Sequence, residues 1–294
     1  MKSIGIIANT SKEGAAQVIA EVSDWLKNRN VSPITTRDCA ADLKLSNCMV
    51  MESEQLIHNS DCIIVFGGDG TLLNAVRLPG AESVPILPVN LGGLGFLTEV
   101  ALDELYTALT KVLDGDYQMD ERMMLRATLH KESQEKTEAQ CIALNDAVIS
   151  KGPFSRMISL ESYIDDEHVA TYRADGLIVS TPSGSTAYSL SAGGPIVHPG
   201  LDALILTPIC PHTLTLRSHI VSAESHISII VKAAHSNIML TIDGQEAFDL
   251  CPGSIVEVEK ADQTIKLIRS CKRSYYEILR TKLKWGERSS IPDA

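Results

Sequence analysis

Cys62-Ile63-Ile64-Val65-Phe66-Gly67-Gly68-Asp69-Gly70-Thr71-Leu72-Leu73-Asn74-Ala75-Val76-Arg77-Leu78-Pro79-Gly80 divides into three parts of different chemistry. The first five residues are apolar and rich in β-branched side chains, the pattern of a buried strand. Residues 72–78 read as a short helix, stopped by Pro79-Gly80. Between them lies a glycine turn. Its three glycines are expected to allow positive φ and to bring the backbone close to a ligand. The helix start adds unpaired N–H groups and a partial positive charge, which suit a phosphate. Asp69 does not fit that surface, because a carboxylate repels phosphate unless a metal intervenes. It is therefore a candidate base or metal contact; the alternative is that it only caps the helix.

The same grammar extends to both sides. Residues 3–8 read as a first strand ending in the polar turn Asn9-Thr10-Ser11. Residues 13–27 place Ala16, Val18, Ile19, Val22, Trp25 and Leu26 on one helical stripe. Residues 31–35 form a second strand, 51–59 a helix, and 85–90 another buried strand. Such alternation predicts a parallel sheet with helices on its faces. Ligands bind at the carboxyl ends of strands in these sheets, where both the glycine turn and residues 90–97 fall.

Beyond residues 114–117 the pattern changes. Strand-like runs recur at 125–130, 142–150, 159–164, 176–180, 214–216, 226–231, 237–242 and 255–260, with turn residues between them. Few helical stripes appear, which points to an all-β domain, sandwich-like or barrel-like. The charged residues 131–136 read as a solvated hairpin tip. Residues 273–285 turn helical again, with Tyr276, Ile278, Leu279 and Leu283 on one face, and 286–290 fray. The expected fold class is an α/β N-terminal domain plus an all-β, sandwich-like C-terminal domain. The expected divisions are 1–116 carrying the glycine turn, a β-rich 117–272, and a tail at 273–294.

Composition narrows the function classes. A chain of 294 residues is ample for two domains. Hydrophobic content of 44% with 21% charged residues is ordinary for a soluble globular protein. The net charge of −11 argues against broad nucleic-acid or anionic-membrane binding. No apolar run approaches the ~20 residues of a bilayer span, and the N-terminal apolar run is too short for a signal peptide. Seven cysteines without a CxxC pair imply reduced thiols in a cytoplasm. The evenly spaced His212, His219 and His226 read as strand or loop histidines and not as ligands.

Three further stretches carry polar chemistry. In residues 172–195 a strand at 176–180 runs into Thr181-Pro182-Ser183-Gly184-Ser185-Thr186-Ala187-Tyr188-Ser189-Leu190-Ser191, dense in hydroxyls and followed by Gly193-Gly194-Pro195. Such a loop hydrogen-bonds well to sugars and bases, with Tyr188 as an aromatic face; the plain alternative is a polar loop whose hydroxyls cap a helix. Asn145-Asp146 pairs an amide with a carboxylate, able to read a ribose diol or an adenine edge, or to make an Asx turn. Asp243-Gly244-Gln245 reads as a hairpin turn. There is no GxxxxGK[ST] loop, no complete GxGxxG and no GxSxG. The metal ligands, if any, are not identified by these patterns.

Gly67-Gly68-Asp69-Gly70-Thr71, Asn90 with Leu94-Gly95-Phe96-Leu97, Asn145-Asp146, Asp175-Gly176 and the block from Thr181 to Val197 together resemble the bacterial NAD kinase family. Gly-Gly-Asp-Gly-Thr by itself also resembles diacylglycerol, sphingosine and 6-phosphofructo kinases; the long hydroxyl-rich block is far more specific. The resemblance implies transfer of the ATP γ-phosphoryl group to the 2′-hydroxyl of the adenosine ribose of NAD, giving NADP, with a divalent metal, usually magnesium. It implies a tail helix that returns to the N-terminal domain, and a homodimer or homotetramer. It makes Asp69 the proton acceptor and places Asp69 and Gly70 at the NAD site; the glycine turn and helix start themselves make Gly67, Gly68, Gly70 and Thr71 the candidate phosphate-binding residues. It matches Asn145, Asp146, Arg156, Arg173, Asp175, Thr186, Ala187, Tyr188, Ser189, Leu190, Ser191 and Gln245 to NAD contacts. Two positions depart from the family: Asp146 stands where Glu is commoner, and Ser183 where Thr is commoner. The competing readings are a lipid or sugar kinase sharing the glycine turn, and a non-catalytic NADP-binding sensor.

Overall fold

Continuous β-branched runs and amphipathic stripes sort the chain into two units. The structure, a computed structural model, describes residues 1–131, 137–152, 156–213, 215–232 and 237–285. Met1–Asp120 together with the chain from Lys266 onward forms the first unit, and Glu121–Ile265 the second.

In the first unit, β1 (Ser3–Ala8), α1 (Ala15–Lys27), β2 (Ser32–Thr36), α2 (Arg37–Asp42), β3 (Met49–Met51), α3 (Ser53–His58), β4 (Cys62–Gly67), α4 (Asp69–Val76), β5 (Ile86–Asn90), β6 (Val100–Ala101) and α5 (Leu105–Asp114) follow in order. The sheet runs β5-β4-β1-β2-β3 and is parallel throughout. All six residues of β4 are buried, as its unbroken apolar sequence requires. Ile4, Ile6, Ile64, Phe66, Leu87 and Val89 pack against Ile19, Val22 and Leu26 of α1 and Leu105, Leu109 and Val112 of α5. Each fully buried aliphatic side chain there contributes roughly 1.5–3 kcal/mol. The helix expected at 51–59 is shorter, because the β-branched Val50 draws residues 49–51 into an edge strand first.

The strand order places β2 on one side of β1 and β4 on the other. Ligands favour the crevice at such a switch point. Gly67 and Asn90 are paired in register at the carboxyl ends of β4 and β5, so the two motifs emerge side by side.

The second unit continues with β7 (Met119–His130), β8 (Thr137–Ala143), β9 (Asp146–Lys151), β10 (Ile158–Ile164), β11 (Glu167–Ala174), β12 (Gly176–Ser180), α6 (Tyr188–Ser191), β13 (Ala203–Ile209), β14 (His219–Ser222), β15 (Ile227–Val231), β16 (Ile238–Ile242), β17 (Glu246–Leu250) and β18 (Ile255–Ile268). One antiparallel sheet runs β14-β13-β12-β9-β16-β17. In the other, β11-β10-β15-β18 continues through β7 to β8. Leu160, Ile229 and Val256 of one sheet share a core with Val179, Leu206 and Leu240 of the other, which makes the unit a sandwich.

Two expected strands are corrected. The run 142–150 is broken at Leu144-Asn145 between β8 and β9. The expected strand at 214–216 is absent at Thr215 and Leu216; Leu214 lies outside the described residues, and β14 begins at His219. The hairpin tip expected at 131–136 falls mostly on residues 132–136 and the frayed end on 286–290, both outside the described residues.

The chain ends its described part in α7 (Tyr275–Leu283). Ser274 and Glu277 form a capping box at its start, and Ile278 and Leu279 are buried. This helix belongs to the first unit, as the resemblance implies.

Candidate active site

The glycine turn folds differently from the sequence expectation. None of Gly67, Gly68 and Gly70 has positive φ, and Gly68 is extended at φ −103, ψ −172. Gly67 is required for another reason: a Cβ there would overlap the Thr71 side chain. At Gly68 and Gly70 a Cβ would meet nothing within 4 Å. A ligand can therefore come close to the Cα side of these two residues at the start of α4.

Asp69 is not the cap of its helix. Gly68 occupies the N-cap position, and no side chain caps there. The Asp69 carboxylate instead reaches the loop after β5. Leu97 N and Thr98 N donate to Oδ1 at 3.1 and 3.0 Å, Thr98 Oγ1 donates to it at 3.0 Å, and Phe96 N donates to Oδ2 at 3.0 Å. Oδ1 is saturated by three donors, while Oδ2 accepts one of these bonds and keeps a lone pair for a proton. Gly95 allows this approach, since a Cβ there would overlap both Asp69 Oδ1 and Thr98 Oγ1. Asn90 fixes the loop from the strand side: its Nδ2 donates to Thr98 Oγ1 at 2.7 Å, and its Oδ1 accepts from Gly92 N at 2.7 Å.

Lys12, between β1 and α1, was not singled out from the sequence. Its Nζ lies 4.0 Å from where a Gly92 Cβ would stand, close to the turn that Asn90 holds. The sequence held one signal for it, a lysine in the polar turn at the carboxyl end of β1.

In the second unit the strand break at 144–145 is built by a residue that read only as a hairpin turn. Asp243 and Gly244 both have positive φ, 49° and 66°, the conformation of a type I′ hairpin. The buried Asp243 carboxylate accepts from Leu144 N at 2.9 Å, Asn145 N at 2.8 Å and Asp146 N at 3.0 Å. From the other side, Thr181 N donates to Asn145 O at 2.9 Å, and Thr181 Oγ1 donates to Leu144 O at 2.5 Å. A Cβ on Gly184 would overlap Asn145 O, so glycine is needed for that close approach.

Asn145 and Asp146 are thereby fixed and nearly buried, at 8% and 4% exposure. Asn145 Oδ1 is buried with no hydrogen-bond partner, an acceptor left for a donor outside the protein. Burial first, and the neighbouring Asp243 charge second, push the Asp146 carboxyl up to about 7.

The hydroxyl-rich block divides between inside and outside. Ser185 Oγ donates to Pro182 O and accepts from Val197 N, and Ser189 Oγ pairs with Thr207 Oγ1 at 2.8 Å. Buried Arg122 donates to Ser183 Oγ. These hydroxyls hold the loop together. Tyr188 and Ser191 are exposed, and Thr186, Ala187 and Leu190 are half-buried, so these five are open to a ligand.

The sandwich brings some candidates together and separates others. Register pairs Ser180 with Asp146, and Asp243 N donates to Asp146 O. Asn145, Asp146, the 181–191 block and the exposed Gln245 thus share one end of the sheet. Asp175 and Arg173 lie at the other end, where Gly176 pairs with Ser150 and Lys151 stands 3.6 Å from Asp175. Arg156 precedes β10, whose Ile158 pairs with Ala174, and belongs with them. The intervening length of β12 is roughly 13–16 Å at ~3.3 Å per residue.

No group of three or more His, Cys, Asp or Glu side chains gathers for a metal among the described residues. All seven cysteines are free. No described helix is long and apolar enough to cross a membrane.

Comparison with known proteins places these motifs in a family. Residues 4–117 match the profile of the ATP-NAD kinase N-terminal domain, and residues 144–270 that of the C-terminal domain. The chain is 45% identical over 288 residues to an NAD kinase of Geotalea daltonii, covering 98% of this chain and 100% of that protein. It is 46% identical over 286 residues to an NAD kinase of Moorella thermoacetica, covering 97% and 90%. Among solved structures it is similar to yeast NADH kinase complexed with NADH, at TM-score 0.92 and 26% identity over 100% of this chain and 90% of that one. It is also similar to an NAD kinase from Archaeoglobus fulgidus in complex with ATP, at TM-score 0.74 and 25% identity over 96% and 98%.

Proposed function

Because the chain belongs to the ATP-NAD kinase family, we infer that it transfers the γ-phosphoryl group of ATP to the 2′-hydroxyl of the adenosine ribose of NAD, giving NADP. The observation that carries the chemistry is the fixed carboxylate of Asp69, held by the 96–98 amides beside open glycine backbone at a helix N-terminus.

Phosphoryl transfer passes through a loose transition state, so positioning and charge neutralisation do most of the catalysis. Asp69 Oδ2 takes the proton from the 2′-hydroxyl, a role open to a carboxylate positioned within ~3 Å of it. The N–H groups at the start of α4, behind Gly68 and Gly70, and the Lys12 ammonium bear on the phosphates. Asn145 and Asp146 read adenine and ribose, Asn145 through its unpartnered Oδ1. Tyr188 offers its exposed ring to the dinucleotide.

The donor set argues against a resident metal cage: Asp69 is already engaged by four donors, and no acidic cluster stands beside it among the described residues. Magnesium prefers phosphate oxygens and water with few carboxylates, so it belongs with ATP as part of the substrate.

Two finer points are proposals of the same kind. The separation of Arg156, Arg173 and Asp175 from Asn145 favours a homo-oligomer, dimer or tetramer, in which a second copy presents its Arg173 end to the dinucleotide. Mixing inactive Asn145→Ala and Arg173→Ala proteins should then restore activity; no restoration would assign the arginines elsewhere. The seven free thiols favour the cytoplasm.

The direct test is the full-length protein incubated with ATP, magnesium and NAD, with NADP read by an NADP-specific dehydrogenase. NADP formation is expected. No NADP, with phosphorylation of a lipid or sugar instead, would favour the related kinases. NADP binding without turnover would favour a sensor.

A further inference from the structure

The loop that grips Asp69 is itself gripped by the C-terminal tail. Phe96, Leu97 and Thr98 donate their amides to Asp69. The next residue, Glu99, is 4% exposed. Its backbone carbonyl accepts from Arg273 Nη1 at 3.2 Å, and its Oε2 accepts from Ser270 N at 3.4 Å. Arg273 also stands 2.8 Å from Oε1 of Glu104, which is only 1% exposed; the contact is ionic and lies off the line a hydrogen bond needs. Ser270 Oγ donates to the other oxygen of Glu104 at 2.8 Å. A second, separate contact comes from α7, where the Lys282 ammonium lies 5.6 Å from the centre of the Phe96 ring, within cation–π reach.

We propose that Arg273 is a positioning residue for phosphoryl transfer: anchored on buried Glu104, it holds the Glu99 carbonyl and so sets the Phe96–Thr98 amides on which Asp69 is oriented. The tail is then part of the catalytic apparatus and not only a stabilising appendage.

Physical necessity supports this. A buried carboxylate such as Glu104 demands a cation, and only a residue from the tail supplies it within salt-bridge distance among the described residues. The fork of a guanidinium can serve an ion pair and a carbonyl at once; an ammonium on a flexible stem holds such a geometry less well. Freed from this anchor, the Glu99 carbonyl loses the Arg273 donor, and the amides of residues 96–98 that orient Asp69 are held less firmly. A small misplacement of a reacting group is expensive in rate.

The inference rests on Asp69 being the proton acceptor, and the test separates the two. Arg273→Gln alone leaves the buried Glu104 without its cation and so confounds position with stability; the informative protein is the double variant Arg273→Gln with Glu104→Gln. It removes cation and anion together and keeps the side-chain volumes close. Expected are a melting temperature near wild type, kcat lowered roughly ten- to hundredfold, and KM for ATP and NAD within about threefold, a shift worth under ~1 kcal/mol. Amide hydrogen exchange at Phe96, Leu97 and Thr98 should become faster, while exchange in β1 and β4 stays slow. Arg273→Lys with Glu104 intact should recover part of kcat. Unchanged exchange at 96–98, or wild-type kcat in the folded double variant, would overturn the positioning role. If the wild-type protein makes no NADP at all, the proton-acceptor reading fails instead, and the exchange result still decides whether the tail holds the loop.

Discussion

Two carboxylates in this molecule perform the same structural act with opposite consequences. Asp69 collects the amides of Phe96, Leu97 and Thr98; Asp243 collects those of Leu144, Asn145 and Asp146. Each thereby pins three consecutive residues of a distant loop. Asp243 is sealed at 7% exposure inside a hairpin turn. Asp69 is half-buried, at a helix start flanked by two glycines with open space before them. The one shapes a site through what it holds; the other is held so that it can act. Counting hydrogen bonds does not distinguish a structural carboxylate from a chemical one. Access to the remaining lone pair does.

The largest effect of breaking this comparison should come from Asp243→Ala. Three buried amides would lose a charged acceptor, at a net cost of about 3 kcal/mol after relief of the repulsion on Asp146. For a unit of this size that is roughly 6–12 °C in melting temperature, measurable by calorimetry, with NAD binding lost alongside. A melting curve like wild type would show that Asp243 is dispensable to the Asn145 corner.

Next come the glycines. Gly95→Ala drives a methyl group into Asp69 and Thr98, so kcat should fall at least tenfold, ~1.4 kcal/mol in barrier. Gly68→Ala meets nothing in the protein. It should keep the melting temperature and raise KM for ATP if the phosphates approach this turn as proposed, because the added carbon then stands in their way. Equal effects of the two on kcat would erase the distinction between packing glycine and ligand-facing glycine.

Much of the first carboxylate's setting was legible in the sequence, and little of the second's. Strand, glycine turn and helix at 62–76 are contiguous, and the pattern of apolar residues fixes them before any tertiary contact forms. The positive φ expected of its glycines did not occur, because their need is steric: Thr71 behind Gly67, and open space before Gly68 and Gly70. The four donors to Asp69 lie about thirty residues downstream, brought in by the pairing of β4 with β5, and no local pattern announces them. Asp243 is harder still. Asp-Gly predicts the hairpin turn correctly, yet nothing near it tells that its carboxylate reaches residues almost a hundred positions upstream. The hydroxyl block read as a ligand surface, whereas Ser185, Ser189 and Thr181 are spent inside it. A one-dimensional pattern shows composition and not which side of a loop faces solvent.

A smaller effect concerns pH. The Asp146 carboxyl is raised to about 7 from 3.8 by burial and by Asp243. Its contribution to stability is complete below about 4 and is lost as pH rises through about 7. Unfolding free energy should therefore decline across that window, and Asp146→Asn should flatten the decline. Ribose hydroxyls donate best to the anion, so KM for NAD should fall as pH rises through about 7 in the wild type and stay level in the variant. Asp146→Glu, which lengthens the side chain by one methylene and keeps the carboxylate, should remain within about tenfold of wild-type activity, ~1.4 kcal/mol. A KM indifferent to pH would take Asp146 away from the ribose.

Least of all should Lys12→Met change. An exposed ammonium at the proposed phosphate site is screened by solvent and ions; a rise of a few-fold in KM for ATP, well under ~1.4 kcal/mol, is expected, with kcat kept. No change in KM would leave the phosphates to the helix start alone.

The most direct measurement is kcat of folded Asp69→Asn at saturating ATP, magnesium and NAD. Asparagine keeps one oxygen for the three donors that reach Oδ1 and gives up only the acceptor for Phe96 N, so most of the hold on the loop remains, and the melting temperature serves as the control. It cannot take the proton at the other position. The account predicts a fall of roughly 10²–10⁴, the usual share of a positioned base, that added magnesium does not reverse. Turnover within a factor of about three of wild type, far short of the 10² a base supplies, would contradict it and leave Asp69, like Asp243, as a residue that only holds a loop.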